Sequence, residues 1–157
     1  LIYQRAFPEC KFLYPGLSPG GNVGGPGGAL LRRDAAAFLH ESRFAISHFD
    51  GVGVHCYWSA GYAMSQALAH LDTYVSLGKP VWVTEASNNT RPPHALPSSQ
   101  QYAAEYIAFL NHLRQRPWTR GVTFFVASAS NPEFQPESWI TAGVSKGIAR
   151  IIHRHAA

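Results

Sequence analysis

Short apolar runs alternate with amphipathic stretches along the chain, and the alternation occurs four times. Cys10-Lys11-Phe12-Leu13-Tyr14 predicts a first strand, ended by Pro15-Gly16. A Gly- and Pro-rich loop follows from Ser18 to Gly28. Ala29 to Ser42 predicts a helix, with Leu30, Leu31, Phe38 and Leu39 on one stripe and Arg32, Arg33 and Glu41 outside it. Asp50 to Tyr57 predicts a second strand, whose small, near-continuous apolar run suits burial on both faces. Gly61 to Leu77 predicts the second helix, closed by Gly78 as its C-cap. Lys79 to Glu85 predicts the third strand, and the polar, Pro-rich stretch Asn88 to Pro97 a loop. Ser98 or Ser99 then caps a long helix through Arg116, with Tyr102, Ile107, Leu110 and Leu113 among its apolar positions. Gly121 to Ala127 predicts the fourth strand and, after a loop over Ser128 to Ser138, Thr141 to His155 a last helix.

The order βαβαβαβα implies an α/β fold with four parallel strands and right-handed crossovers. Strand starts near residues 11, 50, 79 and 120 suit the βα units of a barrel or of a doubly wound sheet. No linker or break in composition divides the chain, so residues 1–157 are expected to form one domain. With 46% hydrophobic and 14% charged residues, the chain has enough apolar surface to offset the entropy of ordering. The net charge of +4 is spread thinly over pairs such as Arg32-Arg33 and Arg150/Arg154, which argues against a nucleic-acid partner. No apolar stretch reaches the ~20 residues of a membrane span. The chain opens on Leu1 without an initiator Met, and is expected to be cut from something longer. Cys10 and Cys56, at the start of one strand and the end of the next, are expected to be free thiols. At ~3.3 Å per residue they lie too far apart for the ~7 Å Cα limit of a disulfide.

Polar and aromatic residues gather after the last apolar residue of each strand, where parallel α/β folds place their chemistry. His55, Tyr57 and Trp58 follow the second strand; Glu85, Ser87, Asn88 and Asn89 the third; Ser128, Ser130 and Asn131 the fourth. Glu85 is the only carboxylate at a strand's C-terminal end, a position rarely given to a charge unless it is paired or used. An ion pair with Arg91 is the structural alternative. Gly20-Gly21, Gly24-Gly25 and Gly27-Gly28 do not form a phosphate loop opening directly into a helix, so no dinucleotide is expected. His40, His48, His70, His94, His112, His153 and His155 show no metal-ligand spacing, so neither a metal nor another cofactor is expected.

The segment Lys79-Pro80-Val81-Trp82-Val83-Thr84-Glu85 resembles the seventh strand of clan A glycoside hydrolases, the cellulase and mannanase-like superfamily of (β/α)8 barrels. Val52 to Tyr57 resembles the sixth strand, with its His-x-Tyr pair, and Trp139 to Ala149 is similar to the last loop and helix. The resemblance implies the C-terminal half of a TIM-type barrel, strands five to eight, acting on a carbohydrate. It implies a retaining mechanism with Glu85 as nucleophile. His55, Tyr57, Trp58, Asn88, Ser128, Asn131 and Trp139 are then the expected substrate contacts. Tyr57 also reads as a packed aromatic, His55 as a structural histidine, and Trp58, Trp139 and Phe134 as loop anchors rather than sugar platforms.

Two departures stand out. Phe124-Phe125-Val126-Ala127-Ser128 lacks the tryptophan that usually ends strand eight, and no Asn-Glu pair supplies the acid/base of strand four. The acid/base is expected on the part before Leu1. Glu133 and Glu137 are the other carboxylates near the mouth, expected to be solvated. Without a missing half-barrel, self-association is expected, because Val52, Val54, Val81, Val83 and Phe125 would line an uncovered inner face. A non-catalytic carbohydrate-binding or scaffold barrel is the rival reading, and an unrelated barrel enzyme with Glu85 as general base is a third.

Overall fold

The computed structural model describes residues 2–17 and 35–156. The predicted glycine-rich loop and the first turns of the predicted helix Ala29 to Ser42 lie outside the described residues. A four-stranded parallel sheet, ordered β1-β2-β3-β4, is formed by β1 (Leu13–Leu17), β2 (Gly51–Trp58), β3 (Val81–Asn88) and β4 (Thr119–Phe124). The helices are α1 (Ile2–Ala6), α2 (Ala35–Glu41), α3 (Arg43–Ser47), α4 (Met64–Thr73), α5 (Ser99–Arg114) and α6 (Ile148–Ala156). Sequential parallel strands joined through helices make this half of a (β/α)8 barrel.

Capping chemistry sets several boundaries as expected. Gly78 takes the left-handed conformation (φ 63°) behind the 3₁₀ turn Tyr74–Leu77 that ends α4. Ser98 accepts the Gln101 backbone N–H at 3.2 Å while the Gln101 side chain takes the Ser98 N–H at 2.7 Å, a closed capping box at the start of α5.

Four expectations need correction. Pro15-Gly16 lies inside β1, where the missing proline donor coincides with an irregular register between Tyr14 and Leu17. The fourth strand, β4, ends at Phe124, short of Ala127. The predicted last helix begins only at Ile148, because Ala142 (φ 48°) and Gly143 (φ 78°) make a tight hairpin turn between β5 (Ile140–Thr141) and β6 (Val144–Ser145). Finally, Val52, Val54, Val81 and Val83 were expected to line the barrel interior. They are at most 1% exposed and pack under the helices, together with Leu68 and Leu71 of α4 and Phe109 of α5.

The interior face is built differently. Gly51 and Gly121 lie under the Trp82 indole, and a Cβ at Gly51 would collide with that ring. Gly53 lies against the Gly16 backbone, and a Cβ at Gly16 would meet the His55 ring at 2.8 Å. Gly16 has no room for a side chain, because the Thr84 hydroxyl and the His55 ring occupy the space it would need.

Candidate active site

In a regular strand Glu85 would share a face with Val81 and Val83, and its carboxylate would point into the helix-facing core. The register prevents this. Val54 pairs with Val83, but the next residue, His55, pairs with Glu85, so Thr84 is one extra residue in β3. A bulge of this kind re-aims the side chains beyond it. Glu85 is thereby turned onto the interior face, beside His55 and Tyr57. Its side chain is 35% exposed.

Tyr57 donates its phenol O–H to Glu85 Oε2, and His55 Nδ1 lies 3.2 Å from the same oxygen. Glu85 is thus in contact with both Tyr57 and His55. Burial first, then the neighbouring Glu85 carboxylate, push the Tyr57 phenol well above its ordinary value, so the hydroxyl remains a donor. The rings of His55 and Tyr57 meet edge to face at 6.1 Å, Tyr57 meets Phe125 at 6.1 Å, and Phe125 meets Phe134 at 5.3 Å. An aromatic wall runs from the carboxylate to the loop after β4.

The other expected contacts fall elsewhere. Trp58 is 3% exposed and stacks on Phe109 at 5.0 Å, with its indole N–H on Glu105 at 2.6 Å. Asn88, 4% exposed, also donates to Glu105, at 2.7 Å. Both side chains lie on the helix side of the sheet because they share the alternation of Cys56 and Ala86. Trp139 packs against Tyr106 and Phe124, at 5.4 and 5.7 Å, as a loop anchor. Ser128 is exposed at the mouth, and Asn131, also exposed, uses its side chain to cap a 3₁₀ turn by accepting the Glu133 N–H at 3.0 Å.

Glu137 is a correction. Expected to be solvated, it is 1% exposed and accepts from Ser87 Oγ through one oxygen and from Arg91 through the other. Arg91 therefore pairs with Glu137 and not with Glu85. Sequence reasoning missed this cluster because its members lie 46 and 50 residues apart. Burial of a loop glutamate has no local signature. Among the described residues no group of three His, Cys, Asp or Glu side chains gathers as a metal would require, and no helix is long and apolar enough to cross a membrane.

A half-barrel with a glutamate held by a tyrosine and a histidine on its interior strand face is the architecture of a partial TIM-barrel glycoside hydrolase. The family model of the glycosyl hydrolase catalytic core matches residues 34–141, and the chain belongs to that family. Its fold is similar to that of a GH128 (subgroup II) endo-β-1,3-glucanase from Sorangium cellulosum, with 21% identity and a TM-score of 0.60 over 89% of this chain and 54% of that one. A GH128 (subgroup I) endo-β-1,3-glucanase from Amycolatopsis mediterranei matches at 18% identity and a TM-score of 0.57, over 92% of this chain and 58% of that one. An endo-β-1,4-xylanase of glycoside hydrolase family 10 from Gloeophyllum trabeum matches at 20% identity and a TM-score of 0.50, over 74% of this chain and 42% of that one. The chain thus spans about half the length of the solved structures it matches. No curated protein matches it.

Proposed function

We propose that residues 1–157 are the C-terminal part of a catalytic domain that hydrolyses β-glycosidic bonds in oligo- or polysaccharides with retention of configuration, Glu85 being the nucleophile. The observation that carries this reading is the bulge at Thr84, which spends one residue to bring Glu85 out of the core and onto Tyr57 and His55. Both neighbours bind one oxygen, Oε2. The other oxygen is the one to attack the anomeric carbon. His55 and Tyr57 also border the space the sugar would fill, and Ser128 and Phe134 stand at its rim.

Retention needs a second carboxyl group about 5–5.5 Å from the nucleophile to protonate the leaving oxygen. Glu137 does not suit this role, since Ser87 and Arg91 engage both of its oxygens as acceptors. The acid/base is therefore assigned to the remaining strands of the barrel, supplied by another stretch of polypeptide. The names of the two GH128 neighbours make β-1,3-glucan the first substrate to try.

The test uses the barrel completed with its other four strands. Glu85→Gln keeps shape and deletes the attacking charge, and turnover should fall by several orders of magnitude. Glu85→Gly with added azide should regain turnover and release a product of inverted configuration. Undiminished hydrolysis by the Glu85→Gln protein would overturn the assignment.

A further inference from the structure

On the helix side of β2 and β3, the loop leading into α4 and the loop leading into α5 enclose an open crevice of about 400 Å³. That is within the size range of small-ligand clefts. Its polar centre is Glu105, whose Oε2 accepts the Trp58 indole N–H at 2.6 Å and the Asn88 amide at 2.7 Å. Among the described residues no cation pairs with Glu105, and no protein donor is recorded on its Oε1. A carboxylate held by two neutral donors on one oxygen presents the other as an oriented acceptor.

The crevice also carries donors. Thr90 Oγ1 accepts the Ala60 N–H at 2.9 Å, and Ser59 Oγ accepts the Gly61 N–H at 3.2 Å. Each hydroxyl has thus used a lone pair; Ser59, half-buried, keeps its own proton to give at the crevice, while Thr90 is buried beneath it. The Ala60 bond to Thr90 ties the two loops together, and Asn89 donates its backbone N–H to the Trp58 carbonyl at 2.8 Å, so the floor is preorganised. Met64, Ala95 and Pro97 supply apolar walls. An ammonium group offers donors only and answers the carboxylate alone. A sugar hydroxyl both donates and accepts, and a pyranose ring adds C–H faces for the apolar walls.

We propose that this crevice is an accessory carbohydrate subsite that takes one ring of a neutral β-glycan, with Glu105 accepting from its hydroxyl groups. The proposal rests on the reading of the chain as part of a glycoside hydrolase, yet it involves the opposite face of the sheet from Glu85.

The test is a titration of the barrel completed with its other four strands, the 157-residue part labelled with ¹⁵N, with β-1,3- and β-1,4-linked glucotriose and with n-butylammonium. One of the trisaccharides should shift the Trp58 indole N–H and the Gly61 and Thr90 amides saturably. Glu105→Gln should weaken that binding about tenfold. Ala95→Trp, which fills the crevice while leaving the Glu105 carboxylate in place, should abolish it. Glu85→Gln should leave it unchanged, so failure of the nucleophile assignment shows in turnover and not in these shifts. The proposal is overturned if neither trisaccharide moves these resonances, if only the ammonium does, if the shifts are confined to His55 and Tyr57, or if both crevice variants bind as well as the parent.

Discussion

Glu137 and Asp50 show how differently two carboxylates of one chain serve it. Glu137 is buried and satisfies Ser87 and Arg91, so Glu137→Ala leaves a hydroxyl and a guanidinium without their acceptor. Arg91 is 29% exposed and recovers some hydration, which places the expected cost at about 2–3 kcal/mol by urea unfolding. Glu133→Ala, on an exposed residue of the same loop, should stay within about 0.5 kcal/mol of the parent. Asp50 instead receives the Phe12 N–H at 2.9 Å, and this bond, with a smaller contribution from Lys11, holds its carboxyl below the ordinary 3.8. A lowered native value means that the unfolded chain binds the proton first as pH falls. The contribution of Asp50 is complete above the ordinary value and is lost as pH drops through the native one. Asp50→Asn should accordingly flatten the decline of melting temperature below about pH 4, and an unchanged acid limb would refute this.

At the scale of elements, the four βα units, the Ser98 cap, the Gly78 cap and the grouping of Glu85 with His55 and Tyr57 were legible, because each rests on local chemistry or strand order. The face that each strand presents was not. Period-two alternation groups Val81 and Val83 with Glu85, and nothing in Val83-Thr84-Glu85 announces an extra residue between the partners of Val54 and His55. The sites of Trp58 and Asn88 followed from the same alternation, once the helix-facing positions were known. The turn at Ala142-Gly143 was hidden for another reason: Thr141 to His155 keeps a helical pattern over most of its length. Removing Thr84 should leave Val83 opposite Val54 and Glu85 opposite His55, now in a regular strand with Glu85 still on the interior face. Both that deletion and Thr84→Val, which keeps the extra residue, should therefore retain the contacts of Glu85 with Tyr57 and His55 and cost no more than about 2 kcal/mol by urea unfolding. A structure of the deletion variant with Glu85 turned toward the helices would show that strand register does not set its direction.

For the whole molecule, the decisive feature is an unfinished sheet. Among the described residues β1 and β4 pair on one side only, and the interior face between them is uncovered. Exposed strand edges are prone to association. The 157-residue chain alone should sediment as a dimer or larger species, and a polypeptide carrying the other four strands should convert it to a one-to-one complex. A monodisperse monomer at micromolar concentration would contradict this.

Trp82 limits which polypeptide can finish that sheet. Its indole spreads over Gly51 and Gly121, so at that level this half has already committed the bulk its neighbours omit. Barrel interiors are filled in layers to which alternate strands contribute. Any half joined to this one by gene fusion or shuffling must therefore bring small side chains to the tryptophan's level. Halves exchanged between related barrels would be sorted first by volume at that depth, before any matching of their catalytic groups comes into play.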